Sequence, residues 1–252
     1  MFFTYETKLP ADTGYQLFRT EHIVIMTLCF LFICACIHFY KKSSSRSGSR
    51  PDIIFGSFPL ILIIARMIYV ICCKEDLVYE LPLHLCSLAG IVCFFHAMLS
   101  LKKDPSWFLR SLKGFLGQVL FALCMPGAAL AIIFPNGIVY PVFHFITFES
   151  YLFHTLIIIY VCFGLIDHRI VPSLHDAYMS ILFLLVTVPF IYIFNVRFGT
   201  DYMFLLYPSY GSPLTGIYEA YGHAGYLVFY GILAVLEIFL INLIGSFINK
   251  RK

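Results

Sequence analysis

Seven continuous apolar runs, each long enough to cross a bilayer as a helix, constrain this chain more than anything else in it. They cover about 22–40, 53–73, 81–101, 112–134, 139–166, 177–196 and 223–248. About twenty apolar residues suffice to traverse a hydrocarbon core of roughly 30 Å at 1.5 Å per residue. The runs are unbroken rather than alternating, which argues against a β-barrel. Only 12% of the residues are charged and 60% are hydrophobic, and a water-soluble domain cannot hide that much apolar surface. The expected fold class is therefore all-α. It is a polytopic bundle of seven transmembrane helices forming a single transmembrane domain over 1–252, multi-pass in the cell membrane. No cleaved signal peptide is expected, because the first basic cluster follows the first apolar run. No internal repeat is visible, so an inverted-repeat transporter gains no support.

The basic residues predict the direction of insertion. With the N-terminus outside, twelve of the seventeen Lys and Arg fall on the cytoplasmic side: Lys41, Lys42, Arg46, Arg50, Lys102, Lys103, Arg110, Lys113, Arg169, Lys250, Arg251 and Lys252. Only Lys8, Arg19 and Lys74 remain outside. That bias predicts an outside N-terminus and a cytoplasmic C-terminus. Basic loops on the inner side suit contact with anionic lipid. Membrane lipids are the expected partners, and nothing points to nucleic acid.

Polar residues in the runs are the functional signal, since lipid offers them no hydrogen-bond partner. They fall mainly in the outer half. The stretch Glu80-Leu-Pro-Leu-His-Leu-Cys-Ser-Leu-Ala-Gly90 sets a carboxylate, His84, Cys86 and Ser87 at the start of the third run. Arg66 lies inside the second. The fifth brings His144, Glu149, Ser150 and His154. His144, Thr147, Tyr151 and His154 share a sector of about 80° at 100° per residue. The sixth ends in Asn195 and Arg197, followed by Asp201 and Tyr202, and the seventh begins at His223. The inner half offers little beyond His96. Convergence on one outer chamber is expected.

Three chemistries fit those groups. Cys86, or a hydroxyl of Ser87 or Ser150, could be a nucleophile deprotonated by His154 or His144. Thiols and hydroxyls are poor nucleophiles until a base removes the proton. Asn195, Arg66 or a helix terminus could then hold the oxyanion. A metal could instead sit among His84, Cys86, His144, His154 and Asp201, but His-x-Cys spacing turns its two ligands to different helix faces. No metal and no cofactor is expected. Arg66, Glu149 and Asp201 could also bind an anionic ligand in a transporter or lipid-binding protein without chemistry. A counter-ion role for Arg66 toward Glu80 or Glu149 fits equally well.

The strings Leu81-Pro-Leu-His-Leu-Cys86 and Gly199-Thr-Asp-Tyr-Met-Phe-Leu205 carry a resemblance. With the order of the runs, they make the chain resemble the bacterial YwaF-type integral membrane proteins, which are similar to the eukaryotic transmembrane protein 164 group. The chain departs from that pattern at Asp201, where Asn is expected. It departs again at Tyr218-Glu-Ala-Tyr-Gly-His223, where a stretch rich in Pro and Trp is expected. The resemblance implies phospholipid acyl transfer or hydrolysis, in a fold similar to membrane fatty-acyl hydrolases. Cys86 would be the nucleophile, with His154 or His144 as base and His84 nearby. Arg66, Glu149, Ser150, Asn195, Asp201 and Tyr202 would contact an acyl or lipid substrate.

Overall fold

The computed structural model describes residues 1–44, 51–102, 104–209 and 212–250. Among them there is no strand, and seven helices carry the architecture. These are α1 (Thr20–Ser44), α2 (Pro51–Cys73), α3 (Leu85–Ser100), α4 (Trp107–Ile133), α5 (Phe145–Ile166), α6 (Tyr178–Phe198) and α7 (Thr215–Lys250). Six are long and apolar enough to cross a membrane, and α3 is shorter. The polytopic, all-helical expectation therefore holds. Of the orientation-setting residues, Arg46, Arg50, Lys103, Arg251 and Lys252 lie outside the described residues.

The helix limits differ from the apolar runs for local reasons. The third run begins at Leu81, but α3 starts only at Leu85. Pro82 lies in a turn ahead of it instead of in its first helical turn. That turn is pinned by Tyr202, whose hydroxyl donates to the Val78 carbonyl at 2.7 Å and accepts from the Leu81 N–H at 2.7 Å. The fifth run begins near Val139, while α5 begins at Phe145, because His144 caps it through Nδ1 and the Ile146 N–H. In α4, Pro126-Gly127 would ordinarily kink a helix. The chain instead winds into a π-helical turn over Leu120–Cys124, just before Pro126. A wider turn accommodates a proline ring that would otherwise crowd the preceding carbonyls. α7 begins before the seventh run and breaks at Gly222, whose φ of 67° with ψ of −173° suits only a residue without a side chain.

Small residues set how closely the central helices approach. A Cβ on Gly56 would come within 2.6 Å of the Ala97 side chain and 2.8 Å of the Tyr160 ring. On Gly90 it would come within 2.9 Å of Ile63 and 3.0 Å of Phe153. These two positions lock α2, α3 and α5 into one register. α2 runs antiparallel to α3, with Gly56 opposite Ala97 and Ile63 opposite Gly90. α5 runs parallel to α3, with Phe153 level with Gly90 and Tyr160 level with Ala97. The main core fills the space between them and α4, from Val92 and Cys93 to Phe153, Ile157 and Tyr160. Ile61, Ile64, Ile68 and Ile71 of α2 point outward, as a lipid-facing stripe should.

One end of the bundle carries the start of α3 and α5, and two straps close it. The N-terminal segment crosses it: the Phe145 N–H donates to the Phe2 carbonyl at 3.0 Å and the Tyr15 N–H to the Ile138 carbonyl at 3.1 Å. The Gly199–Tyr207 segment is the second strap. It is hung from Asn195, whose amide and carbonyl atoms bond the backbone of Tyr202 and the Thr200 hydroxyl.

The opposite, basic end is less empty of polar groups than the sequence suggests. His96 Nδ1 lies 2.7 Å from the Tyr160 hydroxyl. Gln118 donates to the Val171 carbonyl, and Ser180 to the Gln118 carbonyl. These residues face one another across α3, α4, α5 and α6, where a linear reading of apolar runs cannot pair them.

Candidate functional site

Register places the chemistry. Stepping three residues along α2 from Ile63 brings Arg66 opposite Ser87. Stepping one turn up α5 from Phe153 brings Glu149 and Ser150 level with Cys86. Side-chain geometry agrees. Arg66 Nε donates to Glu80 Oε2 at 2.9 Å, and Nη1 donates to Glu149 Oε2 at 3.2 Å. The Tyr5 hydroxyl donates to the other Glu80 oxygen at 2.9 Å. Glu149 is only 4% exposed, whereas Arg66 keeps 31% of its side chain exposed. A charge at this depth is costly unless paired, and Arg66 is paired twice. Its role as counter-ion is thus a fact of the structure, to both of the carboxylates that the sequence offered as alternatives.

Cys86 lies in the first turn of α3, half-buried and within electrostatic reach of Arg66 and Glu149. His84 occupies the N-cap position but its side chain does not cap the helix. Its Nδ1 accepts the Met203 N–H at 3.2 Å, and its ring meets the edge of Tyr202 at a centroid distance of 5.0 Å. The first intrahelical bond of α3 runs from the Leu88 N–H to the His84 carbonyl. The N–H groups of Leu85, Cys86 and Ser87 therefore have no carbonyl within the helix to bond. Of these, the Ser87 N–H lies within hydrogen-bonding reach of the thiol.

His154 stands five residues beyond Glu149 on α5, about 7.5 Å deeper along the axis at 1.5 Å per residue. Its Nδ1 lies 2.6 Å from the Ser150 carbonyl. A carbonyl only accepts, so Nδ1 carries the proton and the neutral ring presents its lone pair at Nε2. That Nε2 is buried and has no partner among the described residues. His154 also lies within electrostatic reach of Arg66. Ser150 enters the site through its carbonyl.

His144 is not available in the same way. Its Nδ1 accepts the Ile146 N–H at 3.1 Å, and its Nε2 donates to the Thr4 carbonyl at 2.8 Å. The ring stacks on Tyr140 at 4.5 Å. Both nitrogens are used in capping α5 and tying down the N-terminal segment. The shared sector of α5 also divides: Thr147 donates to the Pro141 carbonyl, and the Tyr151 hydroxyl pairs with Tyr15 at 2.9 Å. His22 is fully buried, accepting the Phe18 N–H and reaching the Ile132 carbonyl.

Asn195 and Asp201 direct their polar atoms into the second strap, while the Tyr202 hydroxyl leaves it to bond the turn ahead of α3. Asp201 accepts the Leu206 N–H at 2.8 Å and the Tyr207 N–H at 3.3 Å. Burial holds its carboxyl above the ordinary 3.8 although these bonds pull the other way. Met203 and Phe204, both with positive φ, are fixed by His84 and by the Tyr226 hydroxyl on the Phe204 carbonyl. His223 donates to the Leu205 carbonyl at 2.9 Å. These residues build the rim that holds His84 and the lead-in to Cys86. Among the described residues, no group of three or more His, Cys, Asp or Glu is arranged to hold a metal ion.

Sequence reasoning missed Tyr5 entirely. A tyrosine in a short mixed segment carries no periodic signal, and only the strap brings it to Glu80. The sequence placed Glu80 at the mouth without foreseeing its bond to Tyr5.

The model of the TMEM164 family matches residues 17–245. No curated protein matches the chain. No solved structure matches it either.

Proposed function

This chain belongs to the TMEM164 family of membrane proteins, and from that premise we propose that it is an acyl-handling lipid enzyme with Cys86 as nucleophile and His154 as base. The bacterial YwaF-type branch is the closer assignment within the resemblance. The proposal includes seven spans, with short α3 completed by its pinned lead-in, an outside N-terminus, a cytoplasmic C-terminus and residence in the cell membrane. The site then lies in the outer half of the bilayer.

The observation that carries the reading is the tautomer of His154. Its Nδ1–H is committed to the Ser150 carbonyl, and its buried Nε2 lone pair is unused among the described residues. A general base needs that arrangement. In the proposed reaction, Nε2 takes the proton from Cys86 Sγ. The thiolate attacks the carbonyl carbon of an acyl ester, and N–H groups at the start of α3 stabilise the oxyanion. The ester C–O bond breaks, the leaving oxygen takes the proton from Nε2, and the acyl group remains on sulfur. A hydroxyl of water or of a lysolipid then gives its proton to Nε2 and attacks the thioester. The C–S bond breaks, and sulfur recovers the proton. Water gives hydrolysis and a lysolipid gives transfer.

The competing reading, an anion-binding transporter or lipid-binding protein centred on Arg66, has less support. Two carboxylates already surround the guanidinium, so the cluster is not electropositive toward an anion. A thiol-reactive lipid probe separates the two. The enzyme reading expects labelling of the wild type and its loss in both Cys86→Ala and His154→Phe. Equal labelling of Cys86→Ala, together with ligand binding abolished by Arg66→Ala alone, would favour the transporter.

A further inference from the structure

The helices that carry Cys86 and His154 are tied together by one side chain from a third. Arg66 on α2 reaches Glu80, just ahead of α3, at 2.9 Å, and Glu149 on α5 at 3.2 Å. A guanidinium is a rigid planar fork, so carboxylates held by two of its nitrogens are held at a set separation. α3 has particular need of such a tether. It is only 16 residues long, its N-cap side chain does not close its first turn, and a turn leads into it. On the α5 side, Glu149 adjoins Ser150, the residue whose carbonyl orients the His154 ring.

We propose that Arg66 is a positioning residue, which sets the axial register between Cys86 Sγ on α3 and Nε2 of His154 on α5. This rests on the cysteine–histidine reading above. Three features support it. The close packing at Gly90 restricts sideways movement of α3 against α2 and α5, whereas sliding is opposed by the two ion pairs. Arg66 has both pairing arms occupied by protein carboxylates. Tyr5 holds the free oxygen of Glu80, which keeps that carboxylate turned toward the guanidinium. A lysine would keep the charge, but its compact ammonium lacks the fork that spans both partners.

The test is the rate at which N-ethylmaleimide alkylates Cys86, read by mass spectrometry of its peptide. It uses the full-length protein in phosphatidylcholine vesicles as wild type, Arg66→Lys, His154→Phe and the double variant. Removing the base is expected to slow alkylation about tenfold in the wild type, and Arg66→Lys to slow it by a similar factor. The double variant should be no slower than either single one, because both remove one coupled arrangement. Glu149→Gln, which weakens the other arm while keeping Arg66, should behave like Arg66→Lys. Thermal melts of each variant establish that it is folded. If His154→Phe has no effect in the wild type, the cysteine–histidine reading fails and the positioning role falls with it. If His154→Phe is effective but its effect multiplies with that of Arg66→Lys, the reading survives and the positioning role is overturned.

Discussion

At the scale of single residues, the two histidines of α5 show how hydrogen bonding assigns roles that residue type cannot. His144 and His154 have the same side chain on the same helix. One has both nitrogens bonded to backbone; the other has one bonded and one without a partner among the described residues. Their substitutions should therefore separate. His144→Phe leaves the Thr4 carbonyl and the Ile146 N–H without their partner. It should cost about 1–3 kcal/mol of stability, read as a lower thermal midpoint, while lipid-probe labelling of the folded fraction persists. His154→Phe should abolish labelling with a smaller effect on the midpoint. Tyr202→Phe would remove both bonds that pin the turn before α3. Labelling should fall several-fold, with loss of hydrogen-exchange protection at Leu81 as the direct readout.

At the scale of elements, α2, α3 and α5 form the unit that holds the site. Their register depends on two glycines that admit neighbouring side chains. Gly90→Val would drive a branched side chain into Ile63 and Phe153, and Gly56→Val would do the same against Ala97 and Tyr160. Overpacking of this kind costs about 1–3 kcal/mol. Gly90→Val should also displace Cys86, one turn away, so it should reduce labelling where Gly56→Val, at the far end, leaves it nearly intact. Comparing the two at matched fractions folded checks this. The π-helical turn in α4 reflects the same logic. Pro126 requires a local departure from the α-helix, and the chain makes it inside the core, where Leu120–Cys124 are fully packed.

At the scale of the whole molecule, the N-terminal segment is a structural part of the bundle. Lys8 Nζ donates to Glu75 Oε1 at 3.1 Å and to the Cys73 carbonyl at 3.1 Å, and the Thr7 hydroxyl donates to the same carboxylate at 2.9 Å. Hydrogen bonds from Lys8 and Thr7 hold the Glu75 carboxyl below its ordinary 4.5. A carboxyl whose folded pKa is depressed contributes stability above its unfolded pKa and loses it as pH falls through the folded value. Docking of the N-terminal segment should therefore weaken below about pH 4.5. Limited proteolysis at residues 1–19 reads this directly: cleavage should rise with acid in the wild type, and Glu75→Gln should make it nearly pH-independent. Glu75 is half-buried beyond the end of α2 and its side-chain partners lie in the N-terminal segment, so the rest of the fold should be little affected.

The sequence by itself determined that this is a helical membrane protein, because the apolar runs leave the backbone no other way to satisfy its hydrogen bonds in lipid. It also located Arg66, Cys86, Glu149 and His154 in the same half of the bundle, since depth along a spanning helix follows from counting residues. Facing and partnership were decided only by tertiary structure. Whether His144 or His154 has a nitrogen to spare depends on Thr4 and Ser150, and whether Arg66 is bare or doubly paired depends on Glu80 and Glu149. Asn195, Asp201 and Tyr202 were counted toward one outer chamber because they lie at the right depth, yet Asn195 and Asp201 bond the second strap and the Tyr202 hydroxyl bonds the turn ahead of α3. Depth is a property of one helix, whereas a hydrogen bond is a relation between chain segments whose rotation and spacing emerge only when the helices pack.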